Sequence, residues 1–255
     1  MNLTSDMAAV ITGGGSGLGE ATARHLASFG VKVAIFDVDV AQGESVAQDI
    51  GGLFCPVDVT DPEALKRGFE AARKAHGQER ILVACAGIAP AQKTVSRGVP
   101  HDAALFSKTI AINLQGTFFA ASQSAAGMAE AQGFGADVAR GVIVMTASVA
   151  GMEGQIGQAA YGASKAGVIG LTLPMARDLA PKGIRVVTIA PGLFETPMLL
   201  GLPDDVRASL GQQVPYPSRL ARPQEYASLV ESIVTNDMLN GTVIRLDGAI
   251  RLAPS

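Results

Sequence analysis

Tyr161-Gly-Ala-Ser-Lys165 places a phenol and an amine four residues apart, as neighbours on one face of a helix. A phenol with its usual pKa of about 10 is a poor base at neutral pH, and bringing it to about 7 takes roughly 4 kcal/mol. A cation at about 4 Å in a partly screened interior supplies about that much. Lys165 is therefore sufficient in magnitude if it stands that close. Ser148 closes the apolar run Val142-Ile-Val-Met-Thr-Ala-Ser148, where a hydroxyl can hydrogen-bond a reacting oxygen. Asn113, on the preceding helical stretch, can order water behind the lysine. Ser148, Tyr161 and Lys165, with Asn113 in support, form a constellation for moving a proton on an alcohol or carbonyl.

A second constellation lies near the start. Thr12-Gly-Gly-Gly-Ser-Gly-Leu-Gly19 separates the apolar run Ala8–Thr12 from a helical pattern over 18–29. Glycine at 13, 17 and 19 lets the backbone turn tightly and approach a pyrophosphate, to which a helix N-terminus offers free N–H groups. Asp37 stands 18 residues beyond Gly19, at the end of the next apolar run. A carboxylate there accepts both ribose hydroxyls of an adenosine and repels a 2′-phosphate. Neither the loop nor Val38-Asp39-Val40 carries a Lys or Arg to offset that repulsion, so the pattern favours NAD over NADP. Asp58 and Val59, after the third apolar run, are placed to meet the adenine.

These residues need a frame that gathers strand ends. Apolar strand runs are expected at Ala8–Thr12, 31–36, 53–57, 81–85, Gly141–Thr146, 184–189 and 242–246, with helices over 18–29, 41–50, up to His76, 105–131, 161–179 and 224–234. Alternation of this kind, with strands apolar throughout, predicts a parallel sheet covered by helices on both faces. The expected fold class is α/β, a Rossmann-like, doubly wound, parallel seven-stranded sheet in a single domain over 1–255. Two connections are long. One, 89–102, carries Lys93, Arg97 and His101, and the other, 191–223, is expected to be the substrate loop.

Composition removes the competing classes. Hydrophobic residues make up 48% of the 255 and charged residues 17%, which supplies a core and excludes disorder. Lys and Arg number 20 against 23 Asp and Glu, a balance with no footprint for nucleic acid or an anionic membrane. No run approaches the length of a spanning helix, and the first residues lack the basic flank and apolar core of a signal peptide. Cys55 and Cys85 are the two cysteines, suited to a reducing compartment and too few for a metal site. The expectation is a cytoplasmic protein without a metal.

Gly13, Gly17 and Gly19, Ala84-Cys-Ala-Gly87, Asn113, Ser148, Tyr161, Lys165 and Pro191-Gly192 together resemble a classical short-chain dehydrogenase/reductase across essentially the whole chain. Gly157-Gln-Ala-Ala-Tyr161, Ile189-Ala-Pro-Gly-Leu-Phe194, Ile244-Arg-Leu-Asp-Gly-Ala-Ile-Arg251 and the insertion 131–140 are similar to the type-2 group of 3-hydroxyacyl-CoA dehydrogenases within that family. The resemblance implies Tyr161 as base, Lys165 on the nicotinamide ribose, Ser148 on the carbonyl and Asn113 in a proton relay. It implies further NAD contacts at Ser16, Leu18, Asp37, Asp58, Val59, Cys85, Ala86, Gly87, Pro191, Gly192, Phe194 and Thr196, and substrate contacts at Ser148, Gln155, Gln158 and Tyr161. It also implies interconversion of (S)-3-hydroxyacyl-CoA and 3-oxoacyl-CoA by a homotetramer. An acyl-CoA brings phosphates, and Lys93, Arg97, Arg219 and Arg222 could meet them. Steroids or other secondary alcohols are the alternative substrates, and an NAD-binding regulator without turnover is a third reading. Cys85 replaces the second Asn of the general family motif, a change the type-2 group shares. Glu195 stands where that group tends to have Gly.

Overall fold

The computed structural model describes residues 1–201 and 203–254; of the expected substrate loop, Leu202 lies outside the described residues, as does Ser255 of the expected domain. In chain order the elements are β1 (Ala8–Thr12), α1 (Gly17–Ser28), β2 (Lys32–Asp37), α2 (Val40–Ile50), β3 (Leu53–Pro56), α3 (Pro62–His76) and β4 (Ile81–Ala84). A two-residue hairpin follows, β5 (Val95–Ser96) and β6 (Val99–Pro100). Then come α4 (Ala103–Ile110), α5 (Thr117–Glu130), β7 (Gly141–Thr146), α6 (Ala159–Leu179), β8 (Ile184–Pro191), α7 (Pro197–Leu200), α8 (Asp204–Gln212), α9 (Pro223–Thr235) and β9 (Val243–Leu246). Seven strands form one parallel sheet in the order β3-β2-β1-β4-β7-β8-β9. The expected fold class is the one observed.

The strands are buried on both faces, so alternate residues serve two separate cores. Val10, Ala34, Phe36, Leu82, Ile143 and Val186 pack with Leu65 and Phe69 of α3, Met128 of α5 and Val168 of α6. Their neighbours Ala9, Ile11, Val33, Ile35, Val83, Val144 and Val187 pack with Leu26 of α1, Val46 of α2 and Val230 and Ile233 of α9. The strand order reverses between β1 and β4, and an open α/β sheet receives ligands beyond the carboxyl ends at that point.

Two departures from the sequence reading bear on the site. The stretch expected as one helix over 105–131 is two α-helices joined by a π-helical turn, Ala111–Gly116, and Asn113 sits in that turn. The long connections also contain structure. The first carries the hairpin, turned at Arg97-Gly98 with positive φ at both (51° and 78°), and the second carries α7 and α8.

The phosphate loop is as tight as its composition implies. Gly13 adopts φ 66°, and its N–H donates to the Phe36 carbonyl at 2.8 Å, which ties the loop to β2. A methyl group at Gly19 would run into the Gly13 carbonyl. Gly19→Ala is therefore expected to cost about 1–3 kcal/mol in urea unfolding, as overpacking of a closed turn does. Gly154→Ala, where the same methyl meets nothing within 4 Å, serves as the near-neutral control.

Candidate active site

One cavity of about 830 Å³ opens at the carboxyl edge of the sheet. Its lining includes every residue anticipated as a cofactor or substrate contact, from the glycine loop and Asp37 at one end to Ser148, Gln155, Gln158, Tyr161 and Lys165 at the other. Of the four catalytic candidates, Asn113 is the one that does not line it. Leu199, Thr146 and Leu252 line it too and were not anticipated, because nothing local in the sequence points them at a cavity.

The cofactor end is built from backbone. Ser16 caps α1 with no side-chain bond, so the first N–H groups of the helix and the serine hydroxyl remain for a ligand. At Gly13 a Cβ would stand 2.7 Å from the Ala86 N, so the loop can pass β4 only without a side chain. Asp37 accepts from Gly15 N–H at 2.9 Å through one oxygen and from Asp39 N–H at 3.0 Å through the other. Those two bonds fix the carboxylate at the cavity wall, and a carboxylate retains further lone pairs for hydroxyl donors. Donor-rich loop, helix N-terminus and fixed carboxylate together fit a dinucleotide. Among the described residues no cluster of three or more His, Cys, Asp or Glu could hold a metal ion.

At the other end, β7 delivers Ser148 and α6 delivers Tyr161 and Lys165. Ser148 is buried, its Oγ accepts from Ala150 N–H at 3.1 Å, and it lines the cavity together with Tyr161. Lys165 is 5% exposed, and its Nζ donates to the Thr146 carbonyl at 2.8 Å. The Thr146 hydroxyl, the Cys85 thiol and the Tyr226 hydroxyl form a closed triangle of 2.7, 3.4 and 3.7 Å, so α9 reaches beneath the same strand end.

The spacing argument gave Lys165 the task of acidifying Tyr161, and burial of the phenol works against that task. Nζ lies 5.8 Å from the Tyr161 ring centroid. Burial raises the Tyr161 phenol above its usual value, with the Ser148 hydrogen bond opposing. Burial also brings the Lys165 amine down to about 8, against a smaller opposing effect of Cys85. The Asn113 side chain is tied into the fold: Oδ1 accepts from Ile88 N–H at 2.8 Å, and Nδ2 donates to the Ile88 carbonyl at 2.8 Å and Ser164 Oγ at 2.9 Å. Ser164 donates in turn to the Tyr161 carbonyl at 2.7 Å, so Asn113 braces the catalytic turn of α6.

The basic residues considered for phosphates divide. Arg219 is held by both oxygens of Glu225, at 2.9 and 2.6 Å, with the exposed Glu195 nearby, so its charge is already answered. The Arg222 N–H donates to Glu225 at 2.7 Å. Lys93 and Arg97 are exposed, before and on the hairpin respectively.

The depressed amine makes a signed prediction. Below about pH 8 the Lys165 ammonium is buried at a cost that vanishes as pH rises toward the ordinary value of 10.5. Wild type should thus gain up to about 3 kcal/mol on Lys165→Met between those limits, measured as the difference in unfolding free energy of the ligand-free proteins. A pH-independent difference would mean that Lys165 titrates normally.

Comparison with known proteins agrees with this geometry. A family model described as short chain dehydrogenase matches residues 7–206. The chain is 50% identical to a 3-hydroxyacyl-CoA dehydrogenase type-2 of Rattus norvegicus over 252 residues, 97% of this chain and 96% of that one. It is 35% identical to a cis-4-hydroxycyclohexanecarboxylate dehydrogenase of Sinomonas cyclohexanicum, over 96% of each. A crystal structure of 3-hydroxyacyl-CoA dehydrogenase type-2 from Mycobacterium avium superposes over the full length of both chains with a TM-score of 0.94 at 41% identity. With the glycine loop and the Ser148–Tyr161–Lys165 group on one sheet edge, these matches place the chain in the short-chain dehydrogenase family, among oxidoreductases that use a nicotinamide dinucleotide.

Proposed function

We propose that this enzyme interconverts a 3-hydroxyacyl-CoA and the 3-oxoacyl-CoA, most readily the (S) alcohol, with NAD. The observation that carries the reaction type is the meeting of Tyr161, Ser148 and Lys165 in the cavity that also holds the glycine loop and Asp37. The substrate class rests on the names of the type-2 relatives at about half identity over nearly the whole chain. NAD, when bound, accepts the hydride from the carbinol carbon and brings positive charge to the site.

Tyr161 takes the hydroxyl proton as the alcohol is oxidised and returns it when the ketone is reduced. Ser148 hydrogen-bonds the substrate oxygen and favours the ionised phenol beside it. Lys165 holds the ribose end and a positive charge on the wall behind Tyr161, while Asn113 and Ser164 fix the helix turn that carries both. The Asp37 carboxylate receives the adenosine ribose and repels a 2′-phosphate, which selects NAD. A cytoplasmic homotetramer belongs to the same proposal; Phe106 and Phe118 on α4 and α5, each 41% exposed, offer apolar surface for a second copy.

The deciding experiment follows NADH oxidation with acetoacetyl-CoA, free ketones and a steroid ketone in parallel. Strong preference for the thioester is expected; activity on free ketones alone would replace the acyl-CoA by another secondary alcohol. Tyr161→Phe should lower kcat by about 10²–10⁴ with NADH binding retained. Unchanged turnover would remove Tyr161 from the chemistry. Asp37→Ala should erode a preference for NADH over NADPH, read as the ratio of kcat/KM for the two.

A further inference from the structure

A charged cluster sits behind the substrate end of the cavity, on residues with no part in proton or hydride transfer. Glu153 follows the turn Val149–Gly151 that leads away from Ser148, and its N–H donates to the Val149 carbonyl at 2.9 Å. Its carboxylate accepts from both terminal nitrogens of Arg245, at 2.7 and 3.3 Å, and Arg251 Nε approaches at 3.2 Å. Arg245 comes from β9 and also donates to Asp247 at 2.8 Å and to the Ile250 carbonyl at 2.9 Å. Glu153 and Arg245 keep only 24% and 23% of their side chains exposed. A two-pronged Arg–carboxylate pair sheltered in this way fixes geometry as well as charge.

The same carboxylate accepts the Leu252 N–H at 3.2 Å. Two neighbouring bonds continue the clamp: Gln155 Nε2 donates to the Ala253 carbonyl at 3.0 Å, and Ile156 N–H donates to the Pro254 carbonyl at 2.8 Å. The segment from Glu153 to Ile156 thus holds residues 252, 253 and 254 in register. Leu252, so held, lines the cavity together with Ser148, Gln155 and Tyr161.

We propose that Glu153 is a positioning residue for substrate selection, which holds segment 250–254 so that Leu252 forms a wall of the pocket against the acyl chain. The proposal rests on the acyl thioester reading given above. Glu153 touches no reacting atom; it acts through Leu252.

The test compares wild type, Glu153→Ala and Leu252→Ala on acetoacetyl-CoA and on a longer straight-chain 3-oxoacyl-CoA. Each buried methylene contact is worth about fourfold in binding. The ratio of kcat/KM between the longer and shorter substrate should therefore change about fourfold or more, in the same direction in both variants. In Glu153→Ala the change should fall in the KM for the thioester, with kcat on acetoacetyl-CoA and the KM for NADH within about twofold of wild type. Glu153→Gln keeps an acceptor for Leu252 but loses the charge pair and should fall between. Leu252→Ala leaves the backbone clamp intact and keeps the test open if Glu153→Ala fails to fold. An unchanged chain-length ratio in Leu252→Ala, or a Glu153→Ala that loses only thermal stability, overturns the proposal. If wild type turns over neither thioester, the substrate reading fails instead, and free ketones of increasing length then read the same ratio.

Discussion

A buried ammonium with a carbonyl for its partner governs the rest of this site. Lys165 donates to the Thr146 carbonyl at the end of β7, and among the described residues no carboxylate forms an ion pair with it. Such a charge is costly to bury, and burial lowers the amine to about 8. An uncompensated cation of this kind makes the cavity receptive to negative charge. A phenolate at Tyr161 and the oxygens of a dinucleotide are the groups that the architecture places within reach of that charge.

Holding the lysine there requires several elements at once. The parallel register of β4, β7 and β8 brings Ala84, Met145 and Thr188 side by side, so Cys85, Thr146 and the end of β8 converge at one edge. Tyr226 enters from α9, on the far side of the sheet, to complete the hydrogen bonds of Thr146 and Cys85. From the other side the π-helical turn Ala111–Gly116 carries Asn113 inward, where it binds Ile88 and Ser164. A π-turn adds a residue to the helical repeat and so redirects one side chain without ending the helix. The chemistry therefore stands on a strand end braced from both faces.

The sheet was legible in the sequence to within a residue or two at most boundaries, because its strands are apolar on both faces and four of the seven end in or run into Gly or Asp. The glycine loop, Asp37, Ser148, Tyr161 and Lys165 were legible because their spacing maps onto adjacent strand ends and one helix face. The π-turn was not, since Leu105, Ile110, Ile112 and Leu114 keep an unbroken apolar pattern across it and hydropathy does not record hydrogen-bond register. The hairpin does carry a local signal: Ser96-Arg97-Gly98-Val99 is a two-residue turn between short β-prone pairs. Leu252 could not be read, because a lone leucine near a chain end is placed by the tertiary bonds of Glu153. The burial of Tyr161 was not legible for a related reason. Spacing gives the distance to a cation, whereas burial is a property of the whole fold and here acts in the opposite direction.

Burial holds the Tyr161 phenol above its usual value in the free chain, and bound NAD would add its positive charge to that of Lys165 in opposing it. The protein has three tyrosines and no tryptophan, which makes phenolate absorbance a clean probe. The measurement is a pH titration of that absorbance, wild type minus Tyr161→Phe, without ligand and with saturating NAD. The account predicts a Tyr161 transition above about 10 in the free protein, moved toward neutrality by NAD. A transition already near neutral in the free protein, or one that NAD leaves in place, would contradict it.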